Sequence, residues 1–331
     1  MTGAGEHADL AAFAATAAHA VRACAALAPP AQARLLAEAG LLGILAPEAA
    51  GGLGLDLHHA VPVIAAAAAG LLGFPLAETM LLAAALADHP AGPALAAGTM
   101  TATIAWAGMA ARSGGRLHGP VGRAPAAAGC DAVLVRLAEG AALVRLDAPG
   151  VTLRDGLGID VDAPEFDVVL DGAAPVAEIG AGACARLDAD ALVLRTAAIM
   201  GSAETCLAMA AEHTAARRQF GRRLVAFQAL RHAMARQKLA VESLRGALAR
   251  CLDLAPEDEL EALPARQAAF AAAARLGPAA IESALQLHGG MGFTWDLPLH
   301  RHLRRVRSLE AQGDAPGIHA AIAAALLDTN A

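Results

Sequence analysis

The sequence predicts an α+β chain in which a β-rich insert separates two helical parts. Three observations predict it. Alanine and leucine dominate a chain that is 56% hydrophobic, with 3% aromatics and no tyrosine, a mixture suited to helices whose small side chains let their axes approach. Helical periodicity is then lost for about eighty residues in the middle of the chain, where short β-compatible runs recur. It returns afterwards in long runs, giving the order helices, strands, long helices. At 331 residues the chain can bury a sizeable core and divide into two or three subdomains.

The first zone, residues 1–98, is read as an N-terminal α-helical domain. In "PAQARLLAEAGLLGIL", Leu35, Leu36, Ala39 and Leu42 fall on one helical face, and Pro30 suits a helix start. The following "PEAAGGLGLDLHHA" supplies a glycine-rich turn. The second zone, 99–182, carries "TATIAWA", "DAVLVRL", "AALVRL", "GVTLR" and "FDVVLDG" between Gly, Pro and Asp, as in an antiparallel sheet or small barrel. The third, 183–331, shows 3.6-residue periodicity over about 188–216, 222–252, 260–286 and 298–310, which predicts a C-terminal four-helix bundle.

Composition excludes several function classes. The most apolar uncharged stretch, Ala60 to Ala77, is mostly alanine and is broken by Pro62, Gly70, Gly73 and Pro75, so it reads as buried helix plus turn rather than a membrane span. "MTGAGEHADLAAF" has acids and no basic n-region, and a soluble cytoplasmic protein without a secretory signal is expected. A net charge of −7 argues against nucleic acid as the main partner. The five cysteines are scattered with no CxxC pair, which indicates neither a disulfide framework nor a metal site.

Two stretches carry chemistry. "ARRQFGRRLVAFQ" (216–228) interrupts a helical run with four arginines and Gly221. Glycine inside a helix costs about 1 kcal/mol against alanine, so Gly221 is read at a bend between helices. Its arginines are either a solvated corner or a site for an anion such as a pyrophosphate, which the guanidinium fork binds with paired hydrogen bonds. "QLHGGMGFTWDLPLHRHLRR" (286–305) ends a long helix in Gly289 and Gly290. Those glycines either terminate the helix or admit a ligand close to the backbone.

In this order and spacing, the two stretches resemble the acyl-CoA dehydrogenase family. Its R-x-x-F-G and F-Q elements stand here as Arg217 to Gly221 and Phe227-Gln228, and its Q-x-x-G-G-x-G-[FY] as Gln286 to Phe293. "LLAEAGLLGILAPEAAGGLGLDL" (35–57) is similar to the family's N-terminal L-x-E-x-G segment, so the resemblance spans nearly the whole chain. It implies FAD as cofactor. Arg217 would reach the pyrophosphate of a neighbouring subunit's FAD, with Gln219 and Phe220 lining the same surface. Gln286, Gly289 and Gly290 would receive the adenosine-diphosphate end across a dimer interface, and Gln228 would contact adenine or ribose. Arg218, Arg222 and Arg223 keep the solvated reading.

The resemblance further implies α,β-dehydrogenation of an acyl-CoA substrate, electrons passed to an electron-transfer flavoprotein, and an obligate oligomer. The usual catalytic glutamate is missing. Its position counts to Gly313, with Glu310 and Asp314 the nearest carboxylates. Other members draw the base from the first bundle helix, where the count lands on Ala191 beside Asp190, the catalytic candidate here. Read locally, Asp188 and Asp190 at a helix start are more often caps or dipole partners. The family's T-E-P-G-x-G-S-D and W-[IV]-[TS]-N stretches are also not recognisable after "TATIAWAG". Two functions are therefore expected as alternatives. One is a dehydrogenase acting as a homodimer or homotetramer. The other is a non-catalytic FAD-binding or structural subunit of a heteromer, as in steroid side-chain degradation.

Overall fold

The computed structural model describes residues 3–254 and 259–328, and the chain divides into two compact units, 1–194 and 195–331. The first unit opens with α1 (Gly3–Cys24), α2 (Pro29–Glu38), α3 (Leu57–Ala69), α4 (Leu76–Ala85) and α5 (Ala91–Ala96). Two prolines start α2, where a missing N–H costs nothing. The helix is shorter than the apolar pattern. Gly40 turns the chain at φ +73, so Leu42 is buried from an irregular segment rather than from the helix face. At Gly52 a Cβ would strike the Ala46 carbonyl, which explains one glycine of the following turn sterically.

Asp56 caps α3. Its carboxylate accepts the His58 backbone N–H at 3.0 Å and faces Nδ1 of His58 and of His59, at 3.2 and 2.8 Å. Partial burial pushes its pKa up, but the hydrogen bonds and charges of the two histidines outweigh this and hold it below the ordinary value. The cap's contribution is therefore present above the unfolded-state carboxyl pKa and lost as pH falls through the lower folded value. Replacing Asp56 by Ala should cost about 1 kcal/mol in chemical denaturation.

The middle zone holds β1 (Ala102–Ile104), β2 (Ala111–Ser113), β3 (Arg116–Pro125), β4 (Ala132–Arg136), β5 (Ala141–Arg145), β6 (Val151–Asp155), β7 (Glu165–Ala173) and β8 (Pro175–Ile179). They form two four-stranded sheets, ordered β1-β4-β5-β8 and β2-β3-β7-β6. Alternate residues Leu117, Val121, Val133, Val135, Ala142, Val144, Val168 and Leu170 meet in one apolar core. The expected antiparallel pairing holds except at one place, where β1 pairs parallel with β4, which the thirty residues of chain from Ala102 to Ala132 permit.

α6 (Ala181–Ala216) leads into the second unit, which adds β9 (Arg218–Gln219), β10 (Arg222–Arg223), α7 (Gln228–Asp253), α8 (Glu259–His288), α9 (Leu299–Gln312) and α10 (Ala315–Asp328). α6 is long and apolar enough to cross a membrane, but 78% of its most apolar window is buried inside the protein. Residues 191–203 of it are buried without a break. In the second unit a Cβ on Gly277 of α8 would overlap Ile199 of α6, so these two helices approach at a contact only glycine permits. Helix α10 packs on the bundle as an addition to the four expected helices.

Candidate cofactor site and catalytic position

The stretch between α6 and α7 is a bend, as Gly221 predicts, but it is not simply two abutting helices. Residues 222–227, expected as helix, form β10 and a 3-10 turn. Phe220 and Gly221 both take positive φ, +50° and +76°, which makes the two-residue turn of a β-hairpin in which Arg222 pairs Gln219 and Arg223 pairs Arg218. The Leu224 N–H closes it on the Arg217 carbonyl at 2.9 Å. Phe227 anchors the hairpin. Phe220 meets its ring edge-on at 6.2 Å, and the Arg222 guanidinium lies 4.0 Å over it. Arg222 therefore has an internal partner while staying exposed, as its solvated reading expects.

Arg217, Gln219, Phe220 and Gln228 are all exposed, Phe220 at 90%. Among the described residues no carboxylate pairs with Arg217, which leaves its fork available to an anion. Gln286 is exposed on the last turn of α8, and Gly289 and Gly290 follow with open space where a Cβ would point. Gly292, by contrast, is buried, and its missing side chain accommodates the Leu285 carbonyl. The two motif stretches converge at one end of the second unit. His213, one turn before Arg217, stacks on His288, the last residue of α8, with centroids 4.4 Å apart and rings inclined by 29°. Burial, then the charges of His288 and Arg217, hold the His213 imidazole below its ordinary pKa. Neither histidine was singled out in the sequence.

This surface fits the diphosphate end of FAD: an arginine fork without a carboxylate partner, two glycines with room above them, and exposed glutamines for polar contacts. The β-domain segments that the resemblance associates with flavin binding are not recognisable in this sequence. Between β1 and β2 the chain packs backbone against backbone on β3. A Cβ at Gly122 would land on the Ala107 carbonyl oxygen, and one at Gly108 would lie 2.8 Å from the Val121 carbonyl carbon.

The catalytic candidates fall as follows. Asp188 and Asp190 are not caps, because α6 begins at Ala181, several residues earlier. Asp188 is held by both Arg136 terminal nitrogens. Arg136 also stands 5.5 Å over the Trp106 ring, whose Nε1 donates to Glu78 at 3.2 Å. Asp190 is half-buried beside the buried Ala191. At the other position, Gly313 closes α9 and is buried. A Cβ there would overlap the ring of Phe270, 2.6 Å from Cε1 and closer to Cζ, and Phe270 is itself fully buried. The flanking carboxylates are engaged. Glu310 accepts from Arg307 at 2.8 Å, and Asp314 accepts the Gly317 N–H at 3.2 Å in the first turn of α10.

Comparison with known proteins identifies the family. Residues 8–92 match the family described as "Acyl-CoA dehydrogenase, N-terminal domain", and 191–326 match "Acyl-CoA dehydrogenase, C-terminal domain". The acyl-CoA dehydrogenase FadE27 of Mycobacterium tuberculosis is 30% identical over 325 residues, covering 86% of this chain and 84% of its own length. A stronger local match, 36% over 116 residues, is to the acyl-CoA dehydrogenase IpdE2 of the same organism, and spans about a third of each chain, 35% and 34%. Among solved structures, a chain of the ChsE4-ChsE5 complex from Mycobacterium tuberculosis superposes with a TM-score of 0.86 at 26% identity, over 99% of this chain and 98% of that one. A chain of the Tcur3481-Tcur3483 steroid ACAD gives 0.87 at 25%, over 98% and 99%. With both terminal domains matched in order and one relative aligned along most of both lengths, the chain belongs to the acyl-CoA dehydrogenase family.

Proposed function

We propose that this chain is the non-catalytic subunit of a heteromeric acyl-CoA dehydrogenase, in which it completes the FAD site of a catalytic partner. The observation that carries the reading is Phe270. Its ring fills the space that a side chain at position 313 would need, so the chain has lost both the glutamate and the room for one. The surface around Arg217, Gln286, Gly289 and Gly290 remains able to receive a diphosphate. In the assembly, a carboxylate of the partner removes the α-proton of a CoA thioester. FAD held at this surface would supply the hydride acceptor for the β-hydrogen, and an electron-transfer flavoprotein would take the electrons onward. The steroid ACAD and the ChsE4-ChsE5 complex among the similar structures support a heteromer and a steroid-derived thioester as substrate class. A cytoplasmic assembly is part of this proposal.

One observation favours a second reading. Asp190 is half-buried next to the position from which some family members draw their base, which would make the chain a self-sufficient dehydrogenase. The two separate on anaerobic addition of acyl-CoA thioesters to the purified chain. Retained flavin that bleaches only after a catalytic partner is co-expressed fits the heteromer. Bleaching by the chain alone, abolished in Asp190→Asn, overturns it. For the cofactor surface, Arg217→Ala should lower flavin occupancy of the assembly about tenfold, the loss of a charge-assisted fork of roughly 1.5–3 kcal/mol. Unchanged occupancy in the flavin spectrum would remove Arg217 from the site.

A further inference from the structure

Behind the exposed arginine fork lies a pair of titratable rings that neither the motifs nor the proposed reaction uses. His213 and His288 occupy the last turns of α6 and α8, and their rings stack at 4.4 Å. His288 is 7% exposed, and its Nδ1 lies 2.8 Å from the Ala284 carbonyl. A carbonyl only accepts, so this nitrogen carries a proton and Nε2 is where a second would bind. His213 is half-buried, and Arg217 is its i+4 neighbour, with the Arg217 N–H bonded to the His213 carbonyl at 2.8 Å. The third helix at this end is α7, which carries Arg231 and Lys238 one turn to either side of Met234. It contributes the Met234 thioether, which accepts from the Thr214 hydroxyl at 3.4 Å. Among the described residues, the charges bearing on His213 are His288 and Arg217.

We propose that His213 and His288 form a proton-accepting pair behind Arg217 that takes up one proton from solvent when the diphosphate of a dinucleotide binds there. The proposal rests on the assignment of Arg217 to a cofactor diphosphate. In the free protein the partial burial of His213, then the charges of His288 and Arg217, disfavour its imidazolium. A bound diphosphate reverses the sign of the field at the same spot. The two helix C-termini, which carry partial negative charge, already favour a cation there, so the added anion tips the pair into holding a proton. The stacking confines the gain to one proton, since two adjacent imidazolium rings would repel.

The sign of the linkage follows. The pair's pKa is higher in the bound than in the free state. The added affinity is therefore fully present below the free-state pKa and is lost as pH rises through the bound-state value. Because the diphosphate diester of FAD does not itself titrate near neutrality, FAD binding to the full chain should tighten about three- to tenfold from about pH 8 to about pH 5.5. Calorimetry in buffers of different ionisation enthalpy should register net proton uptake on binding within that same pH range.

His213→Phe keeps a ring against His288 but cannot titrate. It should abolish the uptake and flatten the pH profile while keeping the affinity seen at high pH. His288→Asn serves as the second variant, with circular dichroism to check its fold. FAD binding with no pH dependence in the wild-type chain, or an unchanged profile in both variants, overturns the proton-accepting pair and leaves the diphosphate site standing. No FAD binding at any pH overturns both. Dephospho-CoA, which carries the same diphosphate diester, is the second arm. Linked proton uptake with it and not with FAD would overturn FAD as the ligand.

Discussion

Gly313→Glu, which restores the residue type usual at this position in the family, is expected to unfold the bundle locally rather than to create an active site. The new Cβ alone overlaps the Phe270 ring, and Phe270 has no exposed surface into which to move. Overpacking a filled core costs about 1–3 kcal/mol, and burying an uncompensated carboxylate adds several more or forces it to stay protonated. Against a total stability of about 5–15 kcal/mol this is a large share. Phe270→Ala should itself cost about 3–5 kcal/mol through the cavity it leaves. The double variant should be less destabilised than the sum, because each change relieves the defect of the other, with a coupling of about 0.5–3 kcal/mol. Urea denaturation of the four proteins measures the cycle. A Gly313→Glu protein as stable as wild type, or strictly additive effects, would mean that Phe270 does not occupy the space of that side chain, and the non-catalytic reading would lose its main support.

Gly122→Ala is expected to be nearly as damaging, for a different reason. Gly122 lies on β3 at φ +85, and a Cβ there would land on the Ala107 carbonyl oxygen. A backbone atom cannot rotate away as a side chain can, so the β1–β2 connection would have to lift off the sheet. The same strand provides the control. Gly119 has φ +106 and nothing within 4 Å of its would-be Cβ. Gly119→Ala should cost only the conformational penalty of a positive φ, about 1–2 kcal/mol, whereas Gly122→Ala should add overpacking of at least about 1–3 kcal/mol. Equal losses at the two positions in chemical denaturation would show that the contact with Ala107 is not tight.

The contrast between the two glycines also shows how far the amino-acid order could be read. Gly221 was legible as a bend because its cost in a helix is intrinsic to the residue. The hairpin around it was not, since Phe220 at φ +50 bears no turn signature and Arg222 to Phe227 carry apolar spacing that passes for a helix start. Asp188 reads as a helix cap. It is not one, because α6 begins at Ala181, and Arg136, a partner 52 residues away on β4, engages its carboxylate. The conjunction of His213 with His288 joins residues 75 positions apart and has no local mark of any kind.

The amino-acid order was sufficient for the succession of helices, β insert and helices and for the family, and it picked out Arg217, Gln286 and the glycines as candidates, because side-chain periodicity, glycine placement and motif spacing are properties of short segments. It also showed that glutamate is missing at 313. Folding added the more consequential fact that nothing larger than glycine fits there. The obstacle is the ring of Phe270, carried on a different helix, and steric exclusion between residues distant along the chain exists only once the bundle has packed.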